Sequence, residues 1–533
     1  MKLLCFIIIL FVFVSTIFAG VSEYYIELNT DSQSDLNQLT RLISIDNVKG
    51  DTVFAYGTSQ QLSNLEDRGY SFKILPHPGS LIKPKMGRDK SSMADWDVYP
   101  TYPAYVAMMY QFQMDFPEYC QIIDAGSSVM GRQILFARIS DNIDLEEDEP
   151  EVFLSGTMHG DETTGYVILL RLIDYLLRNY GTDELISRLV DNCDIWINPL
   201  ANPDGTYSTG DDAIYLPTRF NDFGVDLNRN FPDPDDGPHP DGNSWQPESM
   251  VMMNLAAAQS FCLAANFHGG AEVINYPWDT WSRLHTDDNW FIDISRHYAD
   301  SAQYYSPANY MTDRNNGITN GYAWYPISGG RQDYMNYWHG CREVLIEISD
   351  VKLLPENQLP DFWDYNKSSL LHFIEKALYG IRGIVTDDQT GLPLYATVRI
   401  SGHDSELDSS RIFTDPDVGD YHRLIEPGNY DIEFTAEGYD TLIVTNILVS
   451  DNNGVRVDVS LSIPPLYVCG DANGDSDVNV GDAVFIINFI FKSGLAPDPL
   501  EAADANSDGN VNVGDAVFLI SYTFKGGSPP ECE

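Results

Sequence analysis

Glu151-Val-Phe-Leu-Ser-Gly-Thr-Met-His-Gly-Asp-Glu162 decides how this chain is read. Its apolar start predicts a buried strand, and the apolar stretch Gly165–Tyr180 beyond it predicts a helix. His159 and Glu162 fall at the junction. Open α/β sheets place their chemistry at strand ends of this kind. Two nitrogen or oxygen donors at close spacing, with a distant third, would hold a metal and leave one coordination position for water. Taken alone, the pair is better read as a helix-start histidine beside a capping glutamate.

Working outward, Asp194–Ile197, Ala264–Phe267 and Glu343–Ile348 are further strand-like runs, and Glu248–Cys262 and Asn366–Leu378 further helical ones. The alternation over residues 96–380 predicts an α/β catalytic domain with a mixed, mostly parallel sheet. Strand ends then deliver polar groups to one rim: Asn202-Pro-Asp-Gly205, Asn266-Phe-His-Gly-Gly270 and, within Arg342–Ile348, Glu347. Gly224-Val-Asp-Leu-Asn-Arg-Asn-Phe231 adds a carboxylate and an arginine in one tight loop.

Composition narrows the setting. The 533 residues are more than one compact domain usually holds. With 31 Lys plus Arg against 79 Asp plus Glu, the net charge is −48, which argues against nucleic acid or an anionic membrane as partner. Met1-Lys-Leu-Leu, the apolar run Cys5–Phe18 and the small pair Ala19-Gly20 read as a signal peptide over 1–19, and no other run is long enough to span a membrane. A secreted or surface-associated protein is expected. Cys469 and Cys532 bracket the last segment and offer a staple in an oxidising compartment; pairing among Cys120, Cys193, Cys262 and Cys341 is not legible.

Taken jointly, HGDE, NPDG, GVDLNRNF, NFHGG with NYPWD, GITNGYAWY and GGRQDY make the chain resemble the zinc carboxypeptidases, in particular their N/E-type regulatory branch. The resemblance spans roughly residues 96–463. It implies one catalytic zinc held by His159, Glu162 and His268, with Asp226 orienting the first histidine. It implies Glu347 as general base and Arg219 as the group polarising the scissile carbonyl. Asn228 and Arg229 would hold the free C-terminal carboxylate of a peptide or protein substrate, and Tyr325 would close over it. A bidentate guanidinium suits a planar carboxylate, so Arg229 favours an exopeptidase. Asp279 and Gln332 fall at the pocket positions that point to C-terminal Lys or Arg; the plainer alternative is that Asp279 caps a loop.

The flanks read separately. Residues 20–80 form a small α+β unit in the order strand, helix, strand, helix, strand, either a pro-segment folding over the cleft or an inert module. Residues 81–95 form a linker, with Lys83, Lys85, Arg88 and Lys90 as an unstructured basic cluster open to a protease. Residues 381–463 predict an all-β sandwich that resembles the transthyretin-like domain of the N/E branch. Residues 467–533 hold an internal repeat that resembles a type I dockerin, a small α-helical unit. Its two loops present Asp471, Asn473, Asp475, Asp477, Asn479 and Asp482, then Asp504, Asn506, Asp508, Asn510, Asn512 and Asp515, as ligands for two structural calcium ions. Position 6 is Gly509 in the second loop but Ser476 in the first. The likeness implies a cohesin-bearing partner, and the shared Val480-Gly481 and Val513-Gly514 would permit docking in two orientations. Competing functions are a zinc peptidase acting on cell-wall peptides and a non-catalytic calcium-binding adhesion or scaffold protein.

Overall fold

The computed structural model describes residues 22–30, 32–464 and 467–531. The expected signal peptide lies outside them, as does Cys532; Cys469 is disulfide-bonded. Cys120, Cys193, Cys262 and Cys341 are free and buried. Among the described residues no helix is long and apolar enough to cross a membrane.

The central sheet has eight strands, in the order Ile318–Asn320, Ala271–Tyr276, Arg342–Ser349, Leu263–His268, Glu151–Gly156, Asp194–Asn198, Gln133–Ile139 and Cys120–Ser127. Glu151–Gly156 pairs in parallel with both neighbours, and Leu263–His268 pairs in parallel with Arg342–Ser349. The outer pairings include antiparallel ones, so the sheet is mixed. Every residue of the three middle strands is buried, which is why they read as continuous apolar runs rather than alternating ones. The helix Thr164–Asn179 buries its apolar side on the sheet. Its Asp174 and Arg178 pair at 2.7 Å on the solvent side. The expected helix Glu248–Cys262 stops at Ala258, because Cys262 enters the sheet, its N–H donating to the Glu151 carbonyl.

The N-terminal unit differs from expectation by one strand. Glu23–Asn29, Ser44–Lys49, Thr52–Thr58 and Phe72–Leu75 make a four-stranded sheet, with helices Gln33–Leu39 and Ser59–Asp67. Ser44–Lys49 escapes a period-two search because a bulge between Ile45 and Asn47 breaks its alternation. The basic stretch is not free of structure: Met86–Gly87 pairs with Tyr99–Pro100, though Lys83, Lys85, Arg88 and Lys90 are exposed.

Residues 380–461 form two facing sheets, one built on Gly380–Asp387 and the other on Thr397–Ile400, Gly428–Thr435 and Leu442–Val449. A buried charge network joins this sandwich to the catalytic domain. Asp287 pairs with Arg342 at 2.7 Å, with Arg423 at 2.9 Å and with His403 at 2.7 Å.

The C-terminal unit, taken by itself, carries helices Val480–Lys492 and Val513–Lys525 packed through Ala483, Ile486, Ala516 and Leu519. Its loops are alike in detail. Asp482 accepts the N–H groups of Asn473 and Asn479, and Asp515 those of Asn506 and Asn512. Ser476 takes φ 71° where Gly509 takes φ 79°. A left-handed backbone strains a residue that has a Cβ, so Ser476→Gly should stabilise this unit by about 1 kcal/mol. A rise in its unfolding midpoint checks this.

Candidate zinc centre and substrate cleft

Register sets the site. His268 and Glu347 are directly paired neighbours at the ends of two parallel strands. Glu151–Gly156 lies on the other side of the His268 strand and leads into His159 and Glu162. The loop carrying these two can fold down because Gly160 packs against Gly205: a Cβ there would stand 2.3 Å from the Gly205 carbonyl carbon. Asn202 secures the contact, accepting from the Gly205 N–H (2.9 Å) and donating to the carbonyls of Met158 and Arg219. The NPDG turn therefore shapes the site without facing the chemistry.

His159 Nδ1, His268 Nδ1 and the Glu162 carboxylate converge. The two nitrogens are 3.0 Å apart, His159 Nδ1 lies 2.9 Å from Glu162 Oε1, and His268 Nδ1 lies 2.8 Å from Oε2. Tetrahedral zinc with bonds of about 2.0–2.1 Å sets neighbouring donors about 3.3 Å apart, so this buried His₂Glu set fits the metal. His159 turns its other nitrogen to Asp226 Oδ1 at 3.0 Å, which fixes the tautomer that leaves Nδ1 free to bind. Burial pushes His268 down to about 4, keeping it a neutral donor. Burial opposes ionisation of Glu162, but His159, Lys352 and His268 outweigh it and hold the carboxyl well below its usual range.

Of the other predicted residues, Glu347, Arg219 and Arg229 all act on Tyr325 through their charges. Glu347 is 7 % exposed and its Oε2 has no hydrogen-bond partner. Arg219 donates to Glu162 (3.1 Å) and Asp226 (3.1 Å). Asn228 and Arg229 lie on the short turn after Asp226, which accepts the Asn228 N–H. Tyr325 is buried on the same rim. Asp279 is 1 % exposed; its Oδ1 accepts from Asn275 at 2.9 Å, and its Oδ2 has no partner. Both amide atoms of buried Gln332 also lack partners. A buried carboxylate oxygen or amide left bare costs free energy unless something polar meets it.

Three residues of the cleft were not legible beforehand. Lys352 is buried and donates to Glu162 (2.7 Å) and to the Gly269 carbonyl (2.8 Å). Its one sequence signal is its place just past Glu347, a lone cation in an apolar stretch. Ser44 and Asp46 come from the N-terminal strand that the sequence hid. Ser44 accepts from Arg219 Nε (2.8 Å) and donates to Asp226. Asp46 pairs with Lys352 (2.6 Å) and Arg219 (3.4 Å). The Ile45 carbonyl accepts from Arg229 (3.2 Å) and the Asp46 carbonyl from Tyr325 (3.3 Å). The N-terminal sheet shares a hydrophobic core with Val273, Trp324, Tyr325 and Ile327 of the cleft.

Residues 105–369 match the zinc carboxypeptidase family model, 380–462 the carboxypeptidase regulatory-like domain and 469–523 the dockerin type I domain. Carboxypeptidase N catalytic chain from Homo sapiens is 34 % identical over 383 residues, covering 64 % of this chain and 81 % of that one. The chain belongs to the zinc carboxypeptidase family. Carboxypeptidase D from Mus musculus is 35 % identical over 392 residues, 70 % of this chain; the chain spans only 27 % of that relative's length. The fold is that of carboxypeptidase A from Helicoverpa armigera, with TM-score 0.51 at 19 % identity, covering 67 % of this chain and 98 % of that one. The family's catalytic metal is zinc, and His159, Glu162 and His268 form a cluster that could hold it.

Proposed function

We propose that the chain is a secreted zinc-dependent carboxypeptidase that removes C-terminal Lys or Arg from peptides or proteins. The bare Oδ2 of buried Asp279 carries the specificity, with the unpartnered amide of buried Gln332 as the second pocket group. A cationic side chain is what such a pocket lacks. Arg229 and Asn228 at the same rim hold the C-terminal carboxylate, and Tyr325 closes over it. Zinc bound by His159, Glu162 and His268 supplies a Lewis acid and an acidified water. Glu347 takes the proton of the attacking water and returns it to the leaving amine. Arg219 donates to the carbonyl oxygen as negative charge develops there.

Burial holds Asp279 up at about 6. Asp279 therefore gains its charge as pH rises through that value. KM for a peptide ending in Lys should fall as pH rises from 5 to 7, while KM for one ending in Phe should not. A panel of peptides differing only in the last residue, with a muropeptide and a chelator control, checks this. Equal turnover of Phe and Lys ends at pH 7, or turnover in chelator, sinks the proposal.

The N-terminal unit is proposed as an inhibitory pro-segment. Its Ile45 carbonyl takes the Arg229 hydrogen bond that a substrate carboxylate needs, and Asp46 ties up Arg219. The exposed cations at Lys83–Lys90 are the place to cut it.

The C-terminal unit is proposed to bind two calcium ions through Asp471, Asn473, Asp475, Asp477, Asn479 and Asp482, and through Asp504, Asn506, Asp508, Asn510, Asn512 and Asp515. It would dock onto a cohesin-bearing partner. Each helix leaves the same row exposed, Val480, Val484 and Phe491 in one copy and Val513, Val517 and Phe524 in the other. A repeated apolar row of this kind supports docking in either orientation.

A further inference from the structure

The strand Ser44–Lys49 sets main-chain carbonyls against three side chains of the catalytic domain. Arg229 donates to the Ile45 carbonyl (3.2 Å), the Tyr325 hydroxyl to the Asp46 carbonyl (3.3 Å) and Arg314 to the Val48 carbonyl (2.8 Å). The proposed reaction uses Arg229 and Tyr325 but leaves Arg314 without a role.

The surroundings of Arg314 place it on the cleft. Its guanidinium lies over the Trp324 ring, 4.4 Å from the centroid, and the Trp324 and Tyr325 rings meet edge to face. Partial burial lowers its pKa, while the charges of Tyr325, Asp313 and Glu347 act the other way. Among the described residues Arg314 forms no ion pair with a carboxylate, and neither does Arg229. Arg314 donates to the Val48 carbonyl and to Asn47 Oδ1 (3.3 Å), Arg229 to the carbonyls of Asn228 and Ile45. In a chain of net charge −48, two such guanidiniums facing one strand form a matched pair, and Arg229 is the proposed carboxylate binder.

The loop that carries Arg314 is braced from within the catalytic domain. Arg296, on the helix Asp288–Tyr305, donates to the carbonyls of Asn315 (3.1 Å) and Asn316 (2.6 Å). Gln303 of the same helix donates to those of Met311 (2.7 Å) and Asn316 (3.1 Å). Arg314 sits at φ 55°, a left-handed backbone that a residue with a Cβ keeps only where its surroundings impose it. These braces come from the helix and not from the N-terminal unit. When the strand leaves, Arg314 keeps its place and loses the oxygens of Asn47 and Val48.

We propose that Arg314 is a substrate-binding residue: in the open cleft it donates to a main-chain carbonyl of the peptide upstream of the bond that is cut, and in the closed chain Val48 fills that place. The proposal rests on the carboxypeptidase reading and on departure of the N-terminal unit. A substrate whose carboxylate meets Arg229 would follow the path from Ile45 to Val48 with its chain direction reversed. Three residues of extended chain cover about 10 Å, at about 3.3 Å per residue. The carbonyl in reach of Arg314 therefore belongs to a residue about three before the C-terminal one. A contact to the main chain is blind to side chains, so it rewards substrate length.

The test uses the full chain, uncut and after cleavage in the Lys83–Lys90 stretch. Substrates are acetylated alanine peptides that end in Lys and grow from two residues to five. Arg314→Met keeps an apolar stem over Trp324 and removes the charge and the donors. In the cut parent, kcat/KM should rise about tenfold from two residues to five, the worth of one hydrogen bond from a charged group. Arg314→Met should abolish that rise, and Arg314→Lys should keep part of it. In the uncut chain the sign reverses. There Arg314→Met should speed cleavage of the two-residue peptide about tenfold, because the N-terminal unit has lost its hold at Val48. A residue that only supported the fold would slow both forms at every length. The proposal is overturned by the same length dependence in the cut parent and cut Arg314→Met, by equal slowing at every length, or by no gain in the uncut variant. Failure of the carboxypeptidase reading looks different: the parent, cut or uncut, would cleave no peptide of the series in a chelator-sensitive way, and the proposal would fall with it.

Discussion

Glu347→Gln should lower kcat/KM for a Lys-ended peptide by about 10³–10⁴-fold, the usual worth of a positioned general base. Bound zinc should stay at the parent's level, because Glu347 is not in the His159, Glu162, His268 set. Loss of fold is not the expected cause. Burial and the neighbouring Glu162 both penalise the ionised Glu347, so its pKa is raised. A neutral amide of the same shape removes that penalty, and the melting midpoint should hold or rise. The measurements are turnover, metal content and a thermal melt on the same sample. Activity within tenfold of the parent would show that another group moves the proton.

Cleavage in the Lys83–Lys90 stretch should raise kcat/KM of the full chain by about 10³-fold. A tethered module has an effective concentration of about 1 mM. If its intrinsic Kd is about 1 μM, roughly one cleft in a thousand is open before cleavage. At nanomolar enzyme the cut module leaves. The contacts it must give up are specific: Ile45 carbonyl to Arg229, Asp46 to Lys352 and Arg219, and Ser44 to Asp226. Arg229 and Arg219 are groups that the proposed chemistry also needs, so on that proposal binding the module and binding substrate exclude each other. Identical progress curves before and after a verified cut would leave the N-terminal unit inert.

Both predictions depend on side chains that were unequally visible in the sequence. His159, Glu162, His268 and Glu347 sit at the ends of unbroken apolar strands. Burial on both faces makes those strands legible as continuous apolar runs, and the register of the folded sheet then sets His268 beside Glu347. The repeated loops at the C-terminus were legible for a similar reason, since each is a local pattern whose side chains close on their own backbone. Ser44–Lys49 was not, because a bulge disrupts its period and its polar residues are buried only by a partner surface. Lys352 was not, because its role is defined by Glu162, far behind it in sequence.

The sequence by itself therefore pointed to the α/β domain, the proposed metal ligands and base, and the sandwich and repeated loops that follow. Each is written in short-range periodicity or in a motif whose spacing is its geometry. Only the tertiary structure decided what stands in front of the zinc centre, namely an N-terminal strand whose carbonyls occupy Arg229 and Tyr325. It also set Arg314 against the Val48 carbonyl of that strand. Such pairings join residues far apart in the chain, and no local preference encodes them. They exist because burying a charge or a carbonyl requires a partner, and the fold supplies that partner from wherever the chain happens to pass.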